Sequence, residues 1–393
     1  MLAAIAAVAA CGGSSAVPSD AIGVDARSSC PNGQTFATQV TYATGIDPES
    51  QVGIGDLNGD GKPDLVVANQ GPYPYGGTST VSVLLNHGDG TFATQVPYPT
   101  VSPGSVALGD LNGDGNLDLV VATLGSNSVE SVSVRFNNGN GTFGPQVIYV
   151  AGLSGMFAGL GELNGDGKPD LVVTNTNVGS VGVRFNNGDG TFAAETAYAT
   201  GGTNSPVFIA INDLDADGNS DLSVANAQAG EVSVLRNNGN GTFAPEVAYR
   251  TGGTALAVAV GDLNGDTKPD LAVANSGQPG SASVLLNNGN GTFAMPVAYV
   301  TGSGTKSVAI FDVNGDGKQD LFVADNVSVG TVSVLLNNGD GTFAAATPLM
   351  TYPMRSFITS VVLGELNGDG AMDLIVTIAG QGSVGVFLGV CAP

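Results

Sequence analysis

The stretch GDLNGDGKPDLVVAN, residues 55–69, recurs along the chain and decides its fold. Six further copies follow it, and the leading acidic residue repeats every 49 to 54 residues. A second string, NHGDGTF at 86–92, recurs five more times as NNGNGTF or NNGDGTF, and a degenerate copy, PNGQTF, stands at 31–36. A repeat of this length indicates one supersecondary unit that stacks on similar neighbours.

Each unit has the pattern of four strands. In the second unit, LDLVVAT (117–123) is a continuous β-branched run, as expected of a strand buried on both faces. SVSVRFN (131–137) alternates like a half-buried strand, and the Asn-Gly pairs after it favour a hairpin turn before the outer strand at 143–150. Seven such units predict an all-β fold, a seven-bladed β-propeller of four-stranded antiparallel blades. The alternative, a solenoid, needs polar caps at its ends, and none is visible in the sequence.

The two ends of the repeat array complement each other. The last unit, ending with SVGVFLGV at 383–390, lacks an outer strand, whereas NGQTFATQVTYATG at 32–45 is an outer strand without a unit. We therefore expect residues 35–43 to complete the last blade and close the ring. The expected domain is 30–393, with blades at about 51–99, 104–150, 156–199, 206–250, 255–300, 305–349 and 358–391 plus 30–46.

The acidic loop of each unit reads Asp-x-Asn-x-Asp-Gly-x-x-Asp, with oxygen-bearing side chains at positions 1, 3, 5 and 9. The Gly at position 6 permits a sharp turn, and the backbone carbonyl at position 7 supplies a further oxygen. All-oxygen shells of this kind favour Ca²⁺ over Mg²⁺, so we expect about seven Ca²⁺ ions. The alternative is a set of hairpins without metal, but three carboxylates at one point repel each other unless a cation is present.

The candidate ligand sets, in chain order, are Asp56, Asn58, Asp60, Lys62, Asp64; Asp110, Asn112, Asp114, Asn116, Asp118; Glu162, Asn164, Asp166, Lys168, Asp170; Asp213, Asp215, Asp217, Asn219, Asp221; Asp262, Asn264, Asp266, Lys268, Asp270; Asp312, Asn314, Asp316, Lys318, Asp320; Glu365, Asn367, Asp369, Ala371, Asp373. Three copies depart from the pattern, since position 1 is Glu in the third and seventh and Thr267 replaces the Gly of the fifth. Because Thr disfavours a positive φ, we expect the fifth loop to be the impaired one.

These strings resemble the FG-GAP/VCBS repeats, which are related to the seven-bladed propeller of integrin α-chains. The resemblance extends from residue 32 to about residue 390. It implies the propeller fold and Ca²⁺ in the loop that joins the first and second strands of each blade. It does not imply one function, because such propellers occur in adhesion proteins, in lectin-like binders and as accessory parts of enzymes.

The three cysteines receive separate interpretations. Residues 1–10 are a short apolar stretch, and Val8-Ala9-Ala10-Cys11 resembles a bacterial lipobox, which predicts a signal peptide, lipidation of Cys11 and a flexible tether at 11–29. Alignment of the units places Cys30 and Cys391 as neighbours in the third-to-fourth strand hairpin that is cut in the last blade. In an exported protein this predicts a disulfide between them.

Composition narrows the function. The formal net charge of −23 argues against a nucleic acid partner and against electrostatic attachment to anionic lipid. Because His87 is the single histidine, most catalytic mechanisms that need an imidazole are excluded.

The loops opposite the acidic ones vary between units and carry the unusual residues Tyr73, Tyr75, Tyr352 and Arg355. We interpret these residues as a ligand face or as sequence variation that the loops tolerate. The sequence favours an exported or cell-surface, Ca²⁺-binding module for a protein or glycan. The alternatives are a polysaccharide-active enzyme or accessory domain and a purely structural surface lipoprotein.

Overall fold

The computed structural model describes residues 8–9, 30, 32–46, 48, 52–71, 79–123, 131–150, 156–201, 205–326, 329–354 and 356–392. This part of the chain is all-β and forms seven blades, each a four-stranded antiparallel sheet, which confirms the predicted propeller. Most of the predicted signal peptide, all of the tether with Cys11, and Tyr73, Tyr75 and Arg355 lie outside the described residues. No helix in the described ranges is long or apolar enough to cross a membrane.

The strands take the same four places in every blade. The first strands are Val52–Gly55, Pro103–Gly109, Ala158–Gly161, Pro206–Asn212, Thr254–Gly261, Thr305–Phe311 and Ile358–Gly364. The second strands are Asp64–Asn69, Asp118–Thr123, Asp170–Asn175, Asp221–Asn226, Asp270–Ser276, Asp320–Asp325 and Asp373–Ile378. The third strands are Ser79–Leu84, Ser131–Arg135, Ser180–Arg184, Glu231–Leu235, Ser281–Leu285, Val329–Leu335 and Ser383–Phe387. The fourth strands are Val96–Thr100, Val147–Val150, Thr196–Ala199, Val247–Arg250, Val297–Val300, Thr347–Met354 and, for blade 7, Val40–Ala43.

Burial follows the position of each strand. All six residues of Asp118–Thr123 are buried because both faces of a second strand pack against neighbouring blades. The fourth strand Thr196–Ala199 lies at the rim and exposes most of its residues. Outside this pattern lie a two-residue strand, Val8–Ala9, which pairs in parallel with blade 1, and a 3₁₀ turn at Ala379–Gln381.

The ring closes as the sequence predicts. Val40–Ala43 pairs antiparallel with Ser383–Phe387 as the fourth strand of blade 7. A second short pairing joins Gln34–Phe36 to Gly389–Cys391. Beside it, Cys30 and Cys391 form the predicted disulfide, with their Cα atoms 4.9 Å apart. The cut hairpin of the last blade is therefore replaced by one covalent bond and one pair of strands.

A buried asparagine amide ties each blade to the one before it. Asn186 opens the hairpin turn of blade 3, and its Nδ2 donates to the carbonyl of Leu111 in blade 2 at 3.0 Å and to that of Pro169 in its own blade at 3.2 Å. Its Oδ1 accepts from the backbone N–H of Gly188 at 2.8 Å. The same pair of carbonyl contacts recurs at Asn86, Asn137, Asn237, Asn287 and Asn337.

Blade 7 has no such asparagine, and Gln34 from the other end of the chain takes its place. The Gln34 backbone N–H donates to the carbonyl of Val313 in blade 6 at 2.9 Å, and its Nε2 donates to the carbonyl of Met372 in blade 7 at 2.7 Å. Its Oε1 accepts from the N–H of Met372 at 3.1 Å. The contact between blades is thus retained at the joint of the ring.

A tyrosine recurs in the fourth strand of most blades and packs between blades. Tyr149 of blade 2 meets Phe192 of blade 3 edge to face, with ring centroids 5.5 Å apart, a geometry that aromatic pairs prefer. Equivalent pairs are Tyr42–Phe92, Tyr98–Phe143, Tyr198–Phe243, Tyr249–Phe293 and Tyr299–Phe343.

Asn186→Ala is expected to lower the free energy of unfolding by about 1–3 kcal/mol, because buried carbonyls of two blades lose a donor. The matched control is Asn187→Ala, whose exposed amide donates only to the Thr191 hydroxyl and is expected to cost about 0.5 kcal/mol or less. Urea denaturation of both variants measures the difference. Equal costs would show that the amide does not tie the blades together.

Removal of the disulfide is expected to destabilise the fold by about 2–5 kcal/mol, because an unfolded chain without it regains the freedom of a loop of 361 residues. Cys30→Ser, Cys391→Ser and the double variant are expected to lose the same amount, since one bond is broken in each case. Peptide mapping without reductant provides the direct check. Finding both residues as free thiols in exported protein would contradict the pairing.

Candidate metal centres

We call the seven acidic segments 56–64, 110–118, 162–170, 213–221, 262–270, 312–320 and 365–373 loops 1 to 7, and each joins the first and second strands of its blade. Position 1 organises the loop backbone. In loop 1 the Oδ1 atom of Asp56 accepts from the N–H of Gly59 and its Oδ2 atom from the N–H of Gly61, both at 2.8 Å. Gly61 has a φ of +79°, which an L side chain rarely adopts. The chain therefore turns around the first carboxylate.

Position 9 has a structural contact that the sequence did not reveal. Asp64 is fully buried at the first residue of the second strand; its Oδ1 atom accepts from the N–H of Asn86 at 2.7 Å and its Oδ2 atom from the N–H of Leu57 at 2.9 Å. One carboxylate thus joins the loop to the hairpin turn of the same blade. In blade 7, where the turn is cut, Asp373 makes the same contacts with Gly389 and Leu366.

Burial changes the acidity of these carboxyl groups. Loss of hydration raises the pKa at position 9, other acids of the same loop raise it further, and the two backbone donors only partly offset this. The pKa is raised to about 6 for Asp64, Asp118, Asp270 and Asp320, and to about 7 for Asp170, Asp221 and Asp373. The electrostatic environment of each loop therefore disfavours the ionised acid unless positive charge is added.

Two loops bring three carboxylates to one point. Ligating oxygens of Asp213, Asp215 and Asp221 in loop 4 all lie within 4.8 Å of one another, as do those of the acids at positions 1, 5 and 9 of loop 5. Among the described residues, the other loops do not converge to this distance. In loop 4 the Oδ1 atom of Asp215 is buried without a hydrogen-bond partner. An unpaired carboxylate oxygen beside two further acids fits a hard cation.

Loop 5 keeps the backbone turn of the other loops although Thr267 replaces the glycine. Thr267 was expected to impair this loop, but it adopts a φ of +66°, and its N–H donates to the Oδ2 atom of Asp262 at 2.8 Å. Gly61 makes the equivalent contact in loop 1. The left-handed backbone conformation costs a Thr residue about 1–2 kcal/mol, and the surrounding contacts impose it. The substitution therefore does not open the loop.

The residue at position 7 was proposed as a ligand only through its backbone carbonyl, but in several loops its side chain also contacts the carboxylate at position 5. The ammonium of Lys62 lies 3.4 Å from the Oδ2 atom of Asp60, and the pairs Lys168–Asp166, Lys268–Asp266 and Lys318–Asp316 are separated by 3.1, 2.8 and 3.0 Å. Loop 4 has a different cation, Arg236 of the same blade, whose Nη1 lies 3.7 Å from the Oδ2 atom of Asp215. The sequence signal for these contacts was the recurrence of Lys at one offset.

One proposed member of the ligand face is not exposed. Tyr352 was expected to be an accessible binding residue, yet it is only 6% exposed and packs in the core beside Phe322 and Ile358. The fourth strand of blade 6 extends to Met354, beyond the expected blade boundary at 349, and register shifts near Thr331 and Val332 accompany this pairing. The interpretation of Tyr352 as an exposed anchor is therefore wrong.

Comparison with protein families finds two related matches. The FG-GAP-like repeat model matches residues 56–121, 162–224, 213–273, 262–323 and 312–376, and the FG-GAP repeat model matches residues 102–142. A search of curated protein sequences found no match to the chain.

Several solved structures resemble this fold. The BBS1N chain from a complex with ARL6DN aligns with a TM-score of 0.60 and 14% identity over 91% of this chain and 97% of its own. The WD40 domain of Toxoplasma gondii coronin aligns with a TM-score of 0.58 and 11% identity over 93% and 89%. A lectin of Agrocybe aegerita, described as recognising non-reducing terminal N-acetylglucosamine, gives a TM-score of 0.49 and 22% identity over 79% of this chain and 80% of its own. At these identities the first two support the fold alone.

The raised pKa values of the position-9 acids give the metal-free protein a defined pH dependence. Between about pH 4 and pH 7 the position-9 acids hold protons in the folded state that the unfolded chain has already released. The free energy of unfolding in chelator is therefore expected to increase as the pH falls from about 7 towards about 4. Denaturant titrations at several pH values measure this slope.

Two variants test whether the position-9 acids cause this pH dependence of stability. Asp170→Asn is expected to make the slope shallower, since the pKa of Asp170 is raised to about 7. Asp189→Asn is expected to leave it unchanged between pH 5 and 7, because the Thr191 hydroxyl lowers the pKa of this exposed acid. Stability in chelator that increases with pH over this range would contradict the raised pKa values.

Proposed function

The chain belongs to the FG-GAP-like repeat family, and we propose that it is an exported, Ca²⁺-stabilised propeller that binds a protein or a glycan. The family and the fold are consistent with a binding module in general. The observation that supports the metal is the geometry of loop 4, where three acids bring carboxylate oxygens within 4.8 Å of one another and Asp215 has a buried oxygen without a hydrogen-bond partner. A bound cation would neutralise this charge, and all seven loops offer the same oxygen-rich pattern, so about seven Ca²⁺ are proposed.

Two faces of the ring differ in how they support binding. On one face the acidic loops and the hairpin turns of neighbouring blades are hydrogen-bonded to each other. For example, the N–H of Gly141 in blade 2 donates to the carbonyl of Leu57 in loop 1 at 2.8 Å. The opposite face carries the connections between second and third strands, whose sequences and lengths vary between blades. We assign ligand binding to this variable face, with Tyr73, Tyr75 and Arg355 as candidate contacts.

Catalysis is not part of the proposal, because the described acids outside the loops and hairpin turns have structural contacts. Glu195 lies 3.5 Å from Arg184, and Glu246 is hydrogen-bonded to Ser233. Asp325 accepts from the Thr305 hydroxyl at 2.6 Å. A fourth acid, Glu231, stands at the start of a third strand and is also partnered. No nucleic acid partner is proposed, given the net charge of −23.

The Cys30–Cys391 disulfide supports an exported location, because such bonds persist in oxidising compartments. FG-GAP repeats are also typical of extracellular proteins. We propose a cell-surface or outer-membrane lipoprotein, or a secreted protein, whose contact with a membrane is limited to a lipid on Cys11.

The test is a glycan and protein binding screen carried out in Ca²⁺ and again in chelator. Ca²⁺ is expected to raise the melting temperature, since it binds the folded loops and not the unfolded chain. For a ligand found in the screen, the double variant Tyr73→Ala, Tyr75→Ala is expected to weaken binding at least tenfold without a change in melting temperature. The control is His87→Ala, an exposed residue of a hairpin turn on the acidic-loop face, which is expected to bind normally. A melting curve insensitive to Ca²⁺, or ligand binding lost only in the His87 variant, would overturn the proposal.

A further inference from the structure

The seven loops differ in the charge that position 7 places beside the acids. In loops 1, 3, 5 and 6 this residue is a lysine whose ammonium lies within 3.4 Å of the position-5 carboxylate. In loops 2 and 4 it is an asparagine, and the Nδ2 atoms of Asn116 and Asn219 donate to the same carboxylates at 2.9 Å. A neutral donor therefore occupies the place of the ammonium. Loop 7 carries Ala371, which has no polar side chain.

The lysine is held in this place by the neighbouring hairpin turn. A Cβ atom added to Gly88 would lie 2.6 Å from Cδ and Cε of Lys62, so the turn packs directly on the lysine stem. Gly139 has the same relation to Asn116, whose Oδ1 would lie 3.1 Å from the added atom. The position-7 side chain thus packs between the hairpin turn and the acidic loop. Where this residue is a lysine, its ammonium lies close to the carboxylate oxygens of the loop.

We propose that the residue at position 7 sets the Ca²⁺ affinity of its loop, so that loops 1, 3, 5 and 6 bind the ion more weakly than loops 2, 4 and 7. The inference rests on the proposed binding of Ca²⁺ by these loops. The lysine neutralises part of the charge that attracts the ion and repels the ion itself. Loop 4 has the largest charge, because Asp215 replaces the usual Asn at position 3, although Arg236 offsets part of it. Ligand charge is one of the main determinants of Ca²⁺ affinity in oxygen-rich loops.

The size of the effect follows from Coulomb's law. The lysine side chains are about 40% exposed, so the interaction is screened as near water. A single positive charge roughly 5 Å from a divalent ion in water changes its affinity by about tenfold. The affinities of the two classes of loop are therefore expected to differ by about that factor.

Reciprocal exchanges in adjacent blades test the proposal. Lys62→Asn gives loop 1 the position-7 residue of loop 2, and Asn116→Lys gives loop 2 that of loop 1. Equilibrium dialysis of the full chain against buffered Ca²⁺, with the metal counted by atomic absorption, gives ions bound per chain. At a free Ca²⁺ concentration that fills about three sites in the wild type, a tenfold change at one site alters its occupancy by about one half, so Lys62→Asn is expected to bind about half an ion more and Asn116→Lys about half an ion fewer. Each exchange is expected to move one site by about tenfold in affinity.

Two controls separate local charge from other effects. Lys62→Arg keeps the charge, and Arg250→Asn removes a charge from an exposed residue of a fourth strand; both are expected to reproduce the wild-type isotherm. Melting temperatures in chelator verify that all variants fold. If ions bind but both exchanges leave the isotherm unchanged, or if Arg250→Asn shifts it as much as Lys62→Asn, the proposal is wrong while Ca²⁺ binding stands. If the wild type binds no Ca²⁺, the proposed function itself fails.

Discussion

A buried carboxylate at the first residue of every second strand is the contact on which the remaining architecture depends. In blade 3 it is Asp170, which accepts a hydrogen bond from the N–H of Leu163 in the acidic loop and another from the N–H of Asn186 in the hairpin turn. The side chain of the same asparagine then reaches the carbonyl of Leu111 in the preceding blade. Loop, turn and neighbouring blade are thus connected through two adjacent side chains. Burying an acid is costly, and here backbone donors on both oxygens offset part of that cost.

The same contact links electrostatics to the fold. Burial raises the pKa of the carboxyl group that holds the turn, and the acids at positions 1 and 5 beside it raise the pKa further. A positive charge that enters the loop therefore favours the ionised form of this acid. Lys168 provides such a charge within its own loop, 3.1 Å from Asp166, whereas loop 2 has only the amide of Asn116. Loops of nearly identical sequence therefore differ in whether a lysine of the same loop compensates part of the negative charge of the acids.

Repetition explains how much of the fold the sequence could predict. Seven copies at spacings of 49 to 54 residues predicted the blades, and the unmatched strands at the two ends predicted the closure and the disulfide of Cys30 with Cys391. The use of Gln34 at the joint could not be inferred, because its role depends on two carbonyls that lie more than 250 residues away in the chain. Tyr352 was misjudged because a longer pairing in blade 6 draws it into the core, and local sequence does not specify that register. At the acidic loops, the regular offsets of Asp and Asn in the sequence identified the oxygen-bearing residues. They did not reveal that the carboxylate at position 9 also accepts hydrogen bonds from backbone N–H groups of the loop and the hairpin turn.

Closure at a cut hairpin also determines how the domain responds to mechanical force. In most chains, tension between the two ends peels strands from the sheet one hydrogen bond at a time. Here Cys30 and Cys391 are joined covalently, so a pull applied outside them passes through the sulfur atoms and leaves the 361-residue ring between them unloaded. Rupture then requires breakage or reduction of a covalent bond before any blade is strained. The propeller therefore behaves under tension as a short link of nearly fixed length.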